Sequence, residues 1–260
     1  MSAGPEPKTS EVAPPPVPAD VGIVAALPIE VAPFQARFRN IRKHTGPRFT
    51  VVEAECGGKI VALVVAGVGA KSARRGAEVL LLGHRPRWLV STGFAGALSP
   101  ELGRNDVVLA TRVRTEQPGD PVLDLGLDLE ETPEGRAHVR SGTLLTVDRI
   151  IRTAGEKTEL HQNLQADLVD MESYPIANLC AERAVRFLAV RVISDEAAVD
   201  LPPEVLSIVG PSGSFRLGAA LAALWKRPGS IKDLWSLRDH AHEAAQRLGT
   251  VLEQVVRRLP

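Results

Sequence analysis

The chain has 260 residues, 44% hydrophobic and 24% charged, the make-up of an ordinary globular protein long enough for one substantial core. Its 31 basic residues offset its 31 acidic ones, so no net field points to nucleic acid as a partner. Two cysteines, Cys56 and Cys180, are too few for a disulfide framework or a zinc cluster and read as buried free thiols.

In chain order, residues 1–19 form a Pro-rich segment with six prolines in its first eighteen residues and no apolar stretch. It reads as a stiff, disordered leader, not a signal peptide. Residues 20–260 are expected to be a single domain. Apolar, β-branched runs at 21–26, 51–55, 60–66, 88–91, 106–113, 142–146, 168–170 and 186–193 predict strands, several of them buried on both faces. Helical patterns fall at 29–39, at 72–82 with Ala73, Ala77, Leu80 and Leu81 on one stripe, and at 174–184. The alternation predicts an α/β fold, three layers α/β/α around a mixed, mostly parallel sheet. Residues 114–141 are polar and rich in Gly and Pro, a loop with a short helix that could act as a lid.

Beyond residue 201 the chain becomes Ala/Leu-rich, and 202–260 reads as a helical C-terminal extension. One helix is expected at 216–226. A second, at 231–256, places Leu234, Leu237, Ala241, Ala244, Leu248, Val251 and Val255 on one face. Residues 217–227 contain an apolar stretch with basic ends, which fits either an interfacial membrane contact or, more commonly, a packed helix. No run reaches the length of a membrane span, and a cytoplasmic location is expected.

Three acids follow strand patterns: Glu30 after the first strand, Glu172 in Val169-Asp170-Met171-Glu172-Ser173, and Asp195 at the end of 186–193. In α/β sheets, residues just past the carboxyl ends of strands converge on one crevice. Carboxylates sharing such a crevice have their pKa values pushed apart, so one donates a proton while another stays a base. Taken singly, each has a structural alternative. Asp195 could cap a helix after Ser194, and Glu30 and Glu172 could be exposed first-turn acids. Two glycine-rich strand ends accompany them. Ala66-Gly67-Val68-Gly69-Ala70-Lys71-Ser72 opens a helix but is neither a Walker loop nor a full dinucleotide fingerprint. Ser91-Thr92-Gly93-Phe94-Ala95-Gly96 would let a flat base lie against the backbone, or would merely turn the chain. The six histidines form no evident metal pair, and no Gly-x-Ser-x-Gly elbow is present.

Together these segments resemble the purine nucleoside phosphorylase and nucleosidase superfamily over roughly residues 20–200. The stretch from Gly22 to Glu30 resembles the opening of methylthioadenosine/S-adenosylhomocysteine nucleosidases. Val65-Ala66-Gly67-Val68-Gly69, the Gly93–Gly96 cluster, the Met171-Glu172 pair and the Ser194-Asp195 pair follow in the family's order. A finer resemblance, carried by Val147-Asp148-Arg149-Ile150-Ile151-Arg152-Thr153, the Met171-Glu172 segment and Arg227-Pro228-Gly229, is to the hopanoid-associated phosphorylases that act on adenosylhopane.

The resemblance implies that Asp195, beside Ser194, protonates or hydrogen-bonds the purine N7. It implies that Glu172 holds the ribose hydroxyls with Met171 packed on the sugar, and that Glu30 activates water. Phe94, Ala95 and Gly96 would line the base pocket, with Gly69 close to the sugar. The expected activity is cleavage of the N-glycosidic bond of a purine nucleoside, adenine for preference, with a bulky 5′ substituent such as that of adenosylhopane. The alternatives are a methylthioadenosine/S-adenosylhomocysteine nucleosidase and a phosphate-dependent phosphorylase. A non-catalytic nucleoside-binding protein and a uridine- or futalosine-type nucleosidase are weaker readings. No metal or cofactor is expected, although phosphate is possible as co-substrate through Arg74 or Arg75. The missing arginine near Ser91 and Phe94, and the carboxylate of Glu30, favour hydrolysis. Ile150 and Ile151 stand where the methylthioadenosine branch usually offers an aromatic residue. The family usually forms homo-oligomers, with the C-terminal helix here a candidate interface.

Overall fold

The computed structural model describes residues 17–125, 139–201 and 230–260. Most of the predicted leader, the centre of the 114–141 loop, the helix expected at 216–226 and the interfacial stretch 217–227 lie outside the described residues.

A single sheet organises the chain. Its strands are β1 (Val21–Ala25), β2 (Arg39–Thr45), β3 (Thr50–Cys56), β4 (Lys59–Val65), β5 (Trp88–Ala97), β6 (Val107–Thr115), β7 (Leu123–Asp124), β8 (Val139–Thr146), β9 (Leu168–Asp170) and β10 (Arg186–Asp195). The helices are α1 (Pro28–Gln35), α2 (Ala70–Gly83), α3 (Ala154–Leu164), α4 (Ser173–Glu182) and α5 (Ser230–Arg258). The strand order is β10-β6-β8-β9-β5-β1-β4-β3-β2, with β7 beside β6. β10 also pairs with β5, so β5, β9, β8, β6 and β10 close into a ring while β1 to β4 run on as an open wing. β4, β1, β5 and β10 are mutually parallel, which brings their carboxyl ends to one edge.

The layers follow from alternation along each strand. Val21, Ile23 and Ala25 of β1 face a core made with Val31 and Phe34 of α1 and Leu248, Leu252 and Val256 of α5. Val24 faces the opposite core, made with Ala73, Ala77 and Leu80 of α2 and Ile176, Ala177 and Cys180 of α4. β1 is thus covered on both sides, as its near-continuous apolar run requires. The three-layer α/β/α architecture with a C-terminal helix is the expected one. Cys56 and Cys180 are buried free thiols.

Four local readings differ. β5 does not end at Ser91 but continues through the glycine cluster to Ala97. β2 was not expected, because Arg39-Asn40-Ile41-Arg42-Lys43-His44-Thr45 lacks an apolar alternation; it is a solvent-facing edge strand whose basic side chains discourage pairing with another chain. α3 was also missed, since its amphipathic stripe is weak. α5 buries Ala244 and Leu248 as expected, but also Ala245, Leu252 and Val256, so its inner face is turned from the predicted one toward its C-terminal end, with Ala241, Val251 and Val255 half-buried; the side chains of Leu234 and Leu237 lie outside the described residues.

Candidate active site

Glu30 is the third residue of α1, which Pro28 opens with its φ already suited to a first turn. Its carboxylate folds back on its own helix, Oε2 accepting from the N–H of Ala26 at 3.1 Å and of Leu27 at 2.8 Å. Oε1 reaches across to β5 and accepts from the Phe94 N–H at 3.0 Å. The acid therefore caps its helix and also belongs to the strand-end cluster. It is only 4% exposed, not a solvent-facing first-turn residue. Burial pushes its carboxyl above the ordinary value, against the pull of the Phe94, Leu27 and Ala26 amides and of Arg191. Oε2 is filled by two donors, while Oε1 has one and keeps a lone pair open.

Gly93 makes this approach possible. Its φ of +150° and the 2.6 Å that would separate an added Cβ from Glu30 Oε1 leave room for no side chain.

Glu172 is the residue before α4, and its carboxylate leaves that helix. Oε1 accepts from the N–H of Gly69 at 2.7 Å, at the start of α2, and Oε2 faces the Met171 N–H at 3.2 Å. The anion at the α2 N-terminus is thus the chain's own carboxylate, held by an amide whose residue has φ +92°. Protein atoms surround Glu172, although part of its surface remains open. Burial first, then the charge of Asp170, pushes it up to about 7, with Arg191 and the Gly69 amide opposing and Glu30 adding to the rise.

Asp195 ends β10 and is followed by no helix, so it is not an N-cap. The β10–β5 register slips between Ile193 and Asp195, a bulge at Ser194 that turns Asp195 toward Gly96. A Cβ on Gly96 would stand 3.1 Å from Asp195 Oδ2. The Ser194 hydroxyl lies 2.7 Å from Asp195 Oδ1 and 3.2 Å from the Ala95 carbonyl. Lys157 donates to Asp195 Oδ2 at 2.6 Å.

Strand β5 from Gly93 to Gly96 therefore runs between Glu30 on one side and Asp195 on the other. The Phe94 ring is half-buried against the core beneath α1 and α5. Phe187 is core, as expected. The candidate residues Glu30, Gly69, Phe94, Ala95, Gly96, Met171, Glu172, Ser194 and Asp195 all lie at the same edge of the sheet.

Three residues of the cluster were not anticipated. Arg191 is 1% exposed in the middle of β10. Its Nε and Nη2 donate to Asp170 Oδ2 at 2.9 and 2.6 Å, and Nη2 also reaches Ser91 Oγ at 2.7 Å and Ser173 Oγ at 3.0 Å. Asp170 in turn accepts from Thr146 Oγ1 and the Ser173 N–H. Arg191 Nη1 is buried with no hydrogen-bond partner, and the guanidinium charge pulls the carboxyls of both Glu30 and Glu172 downward against their burial. The sequence signal was present: one arginine inside an otherwise apolar strand, Phe187-Leu188-Ala189-Val190-Arg191-Val192-Ile193. Lys157, on the unpredicted α3, left no such signal.

Of the suggested anion ligands, Arg74 is engaged elsewhere, while Arg75 is exposed on α2. Arg74 pairs with Glu182 at 2.8 Å and with Glu78 at 3.4 Å on the outer face of α2. Ser91 is buried beneath Arg191. A surface groove near Val107, Val139, Glu243 and Arg247 carries none of the three acids.

Residues 20–214 match the family described as the phosphorylase superfamily. The 5′-methylthioadenosine/S-adenosylhomocysteine nucleosidase of Haemophilus ducreyi is 27% identical over 197 residues, 68% of this chain and 85% of that protein. The S-adenosylhomocysteine nucleosidase of Streptococcus pyogenes, solved with 5-methylthiotubericidin, superposes with a TM-score of 0.71 at 19% identity, over 94% of this chain and 98% of its own. The futalosine hydrolase of Helicobacter pylori superposes with a TM-score of 0.65 at 15% identity, over 94% and 98%. At these identities the structural likenesses speak for the fold.

Proposed function

The chain belongs to the phosphorylase superfamily, and on that premise we propose that it hydrolyses the N-glycosidic bond of a purine nucleoside and releases the free base, adenine for preference. The observation that carries this reading is the use of two backbone amides, one within β5 and one at the start of α2. The N–H groups of Phe94 and Gly69 sit where an anionic co-substrate would be received, and they donate instead to Glu30 and Glu172. Asp170 pairs with Arg191 through Nε and Nη2, and the same guanidinium charge acts on Glu30 and Glu172, so one cation serves three carboxyl groups. A phosphate dianion entering there would meet repulsion, whereas a water molecule would find a donor in Arg191 and an acceptor in Glu30 Oε1.

In this mechanism the Asp195 carboxyl, protonated in the complex with substrate, hydrogen-bonds the purine at N7 and gives up that proton as negative charge builds on the leaving base, and the Lys157 ammonium stabilises the carboxylate that remains. Lys157 and Ser194 fix the position of that carboxylate. Glu172 accepts hydrogen bonds from the ribose hydroxyls, with Met171 beside it on the sugar. As the ribose gains oxocarbenium character, the carboxylates stabilise its positive charge. Glu30 takes a proton from the attacking water, and the products are the base and the free ribose derivative.

A 5′ substituent of the methylthioadenosine or S-adenosylhomocysteine kind is the better-supported part of the substrate assignment, since the named relatives carry those activities. The adenosyl-lipid reading stands second. One feature favours it: Ile150, half-buried next to the core residue Ile151, stands where the sequence resemblance expects an aromatic. A homo-oligomer and a cytoplasmic setting complete the proposal, the former open to sedimentation analysis. The deciding assay is adenine release from methylthioadenosine, S-adenosylhomocysteine, adenosine, inosine and an adenosyl-lipid analogue, with and without phosphate. Phosphate-independent release is expected. Strict dependence on phosphate would overturn the role of Glu30, and preference for the lipid analogue would reverse the order of the two substrate readings.

A further inference from the structure

Far from the crevice, at the C-terminal end of α2, three side chains meet without a satisfactory set of partners. In the β2–β3 pair, Arg42 lies opposite Glu53 and His44 opposite Val51, so His44 and Glu53 project from the same face of the hairpin. That face is the one α2 covers, since Val51 belongs to the core built with Ala73, Ala77 and Leu80. His84 caps the end of α2 and drops onto it. Glu53 and His84 are 4% and 2% exposed.

A buried carboxylate needs strong compensation. Glu53 Oε2 accepts from the Val17 N–H at 3.1 Å, and Oε1 has a long contact of 3.5 Å to the half-exposed Arg42. The imidazoles sit within ion-pairing distance of it, but not in good hydrogen-bond geometry. His44 Nε2 lies 3.3 Å and His84 Nε2 3.5 Å from Glu53 Oε2, yet His44 Nε2 and both ring nitrogens of His84 are buried without a hydrogen-bond partner.

These separations have a simple meaning for coordination. Ligand atoms about 2.0–2.1 Å from a tetrahedral ion stand roughly 3.3–3.4 Å apart. One ligand atom from each of the three residues lies within 4.8 Å of the other two. We propose that His44, Glu53 and His84 bind one zinc-class divalent cation, which clips the β2–β3 hairpin to the end of α2. Two imidazoles and one carboxylate select zinc, cobalt or nickel over magnesium or calcium. Water completes the shell on the open side of His44, and the carbonyl end of α2 favours the positive charge. Gly69, at the other end of this 14-residue helix, is roughly 21 Å away, so the ion is a structural clip with no part in glycosidic cleavage.

The test uses the untagged full chain, stripped with chelator and then titrated with Zn2+ against a chromophoric competitor and with Co2+ alone. One ion per chain is expected, together with the intense visible bands of tetrahedral Co2+. A zinc-dependent rise in Tm of roughly 5–10 °C is expected at a hundredfold excess over Kd. His44→Ala, on the edge strand and tolerant of change, should lose all three signals while keeping its fold by circular dichroism and its base-release rate within twofold. Glu53→Gln should lose them as well. Absence of stoichiometric binding, six-coordinate Co2+ spectra, or unaltered binding by His44→Ala would each overturn the proposal.

Discussion

Lys157 Nζ lies 2.6 Å from Asp195 Oδ2, and the lysine is fully buried. Its two other protons go to the carbonyls of Glu196 at 2.8 Å and Val199 at 3.0 Å, so the ammonium has three acceptors for three donors. The acid assigned to the purine is therefore held from α3, and its rotamer is set by a residue that need not touch substrate.

Removing one partner of such a pair leaves the other charge buried and costs about 3–5 kcal/mol. Lys157→Met and Asp195→Asn are each expected to lower Tm by roughly 6–15 °C. Both should also slow base release, Asp195→Asn by about 10²–10⁴ in kcat. The double variant Lys157→Met/Asp195→Asn should recover much of the Tm and none of the rate. Thermal melts and steady-state kinetics on the three variants check this. Recovery of rate in the double variant would remove Asp195 from the chemistry.

Glu172 gives a pH signature. Its carboxyl is raised from 4.5 to about 7, first by burial and then by Asp170. A raised acid favours the protonated folded state, so its contribution to stability is complete below about 4.5 and is lost as pH rises through about 7. The difference in Tm between wild type and Glu172→Gln should therefore shift in favour of the variant between pH 4.5 and 7.5. Catalysis should run the other way. Ribose hydroxyls donate to the ionised form, so wild-type KM should fall as pH rises past 7, and Glu172→Gln should show a high, flat KM. A KM that does not change with pH in wild type would refute the assigned contact.

Gly93 is the tightest point of the site. Gly93→Ala forces a methyl against Glu30 Oε1 in a φ region that L residues avoid. A fall in kcat of about 10–100-fold is expected, with a loss of roughly 2 kcal/mol. Gly83→Ala, where an added Cβ meets nothing within 4 Å, is the control and should be neutral or slightly stabilising. Equal behaviour of the two variants would count against Glu30 being held as described.

Arg191→Lys tests the buried network. Lysine offers a point charge in place of a planar fork and cannot reach Asp170, Ser91 and Ser173 together. A loss of about 3–5 kcal/mol is expected in urea unfolding. Base release should fall further than the population of folded protein explains, because the Arg191 guanidinium charge acts on both Glu30 and Glu172. Activity that tracks folded protein alone would make Arg191 purely structural.

Much of this arrangement was legible in the amino-acid order. Near-continuous apolar runs marked the central strands, because a strand covered on both faces must be apolar at every position. The acids could be placed at strand ends for the same reason: a charge interrupts such a run only where burial stops or a partner waits. The legible part ended at β2, whose charged edge looks like a loop, and at α3, whose weak stripe concealed Lys157.

What the sequence by itself determined was the α/β alternation, the free thiols and the order of Glu30, Glu172 and Asp195 after their strands. Only the tertiary structure decided what each acid touches. Glu172 finds the Gly69 amide 103 residues away, Asp195 finds Lys157 38 residues away, and Glu30 finds Phe94 64 residues away. Periodicity reports burial, which is local and set by each residue's own hydrophobicity. The partner of a buried charge is chosen by whichever distant donor the closed sheet brings within hydrogen-bond reach, and the bulge at Ser194 that aims Asp195 exists only once β10 is paired with β5.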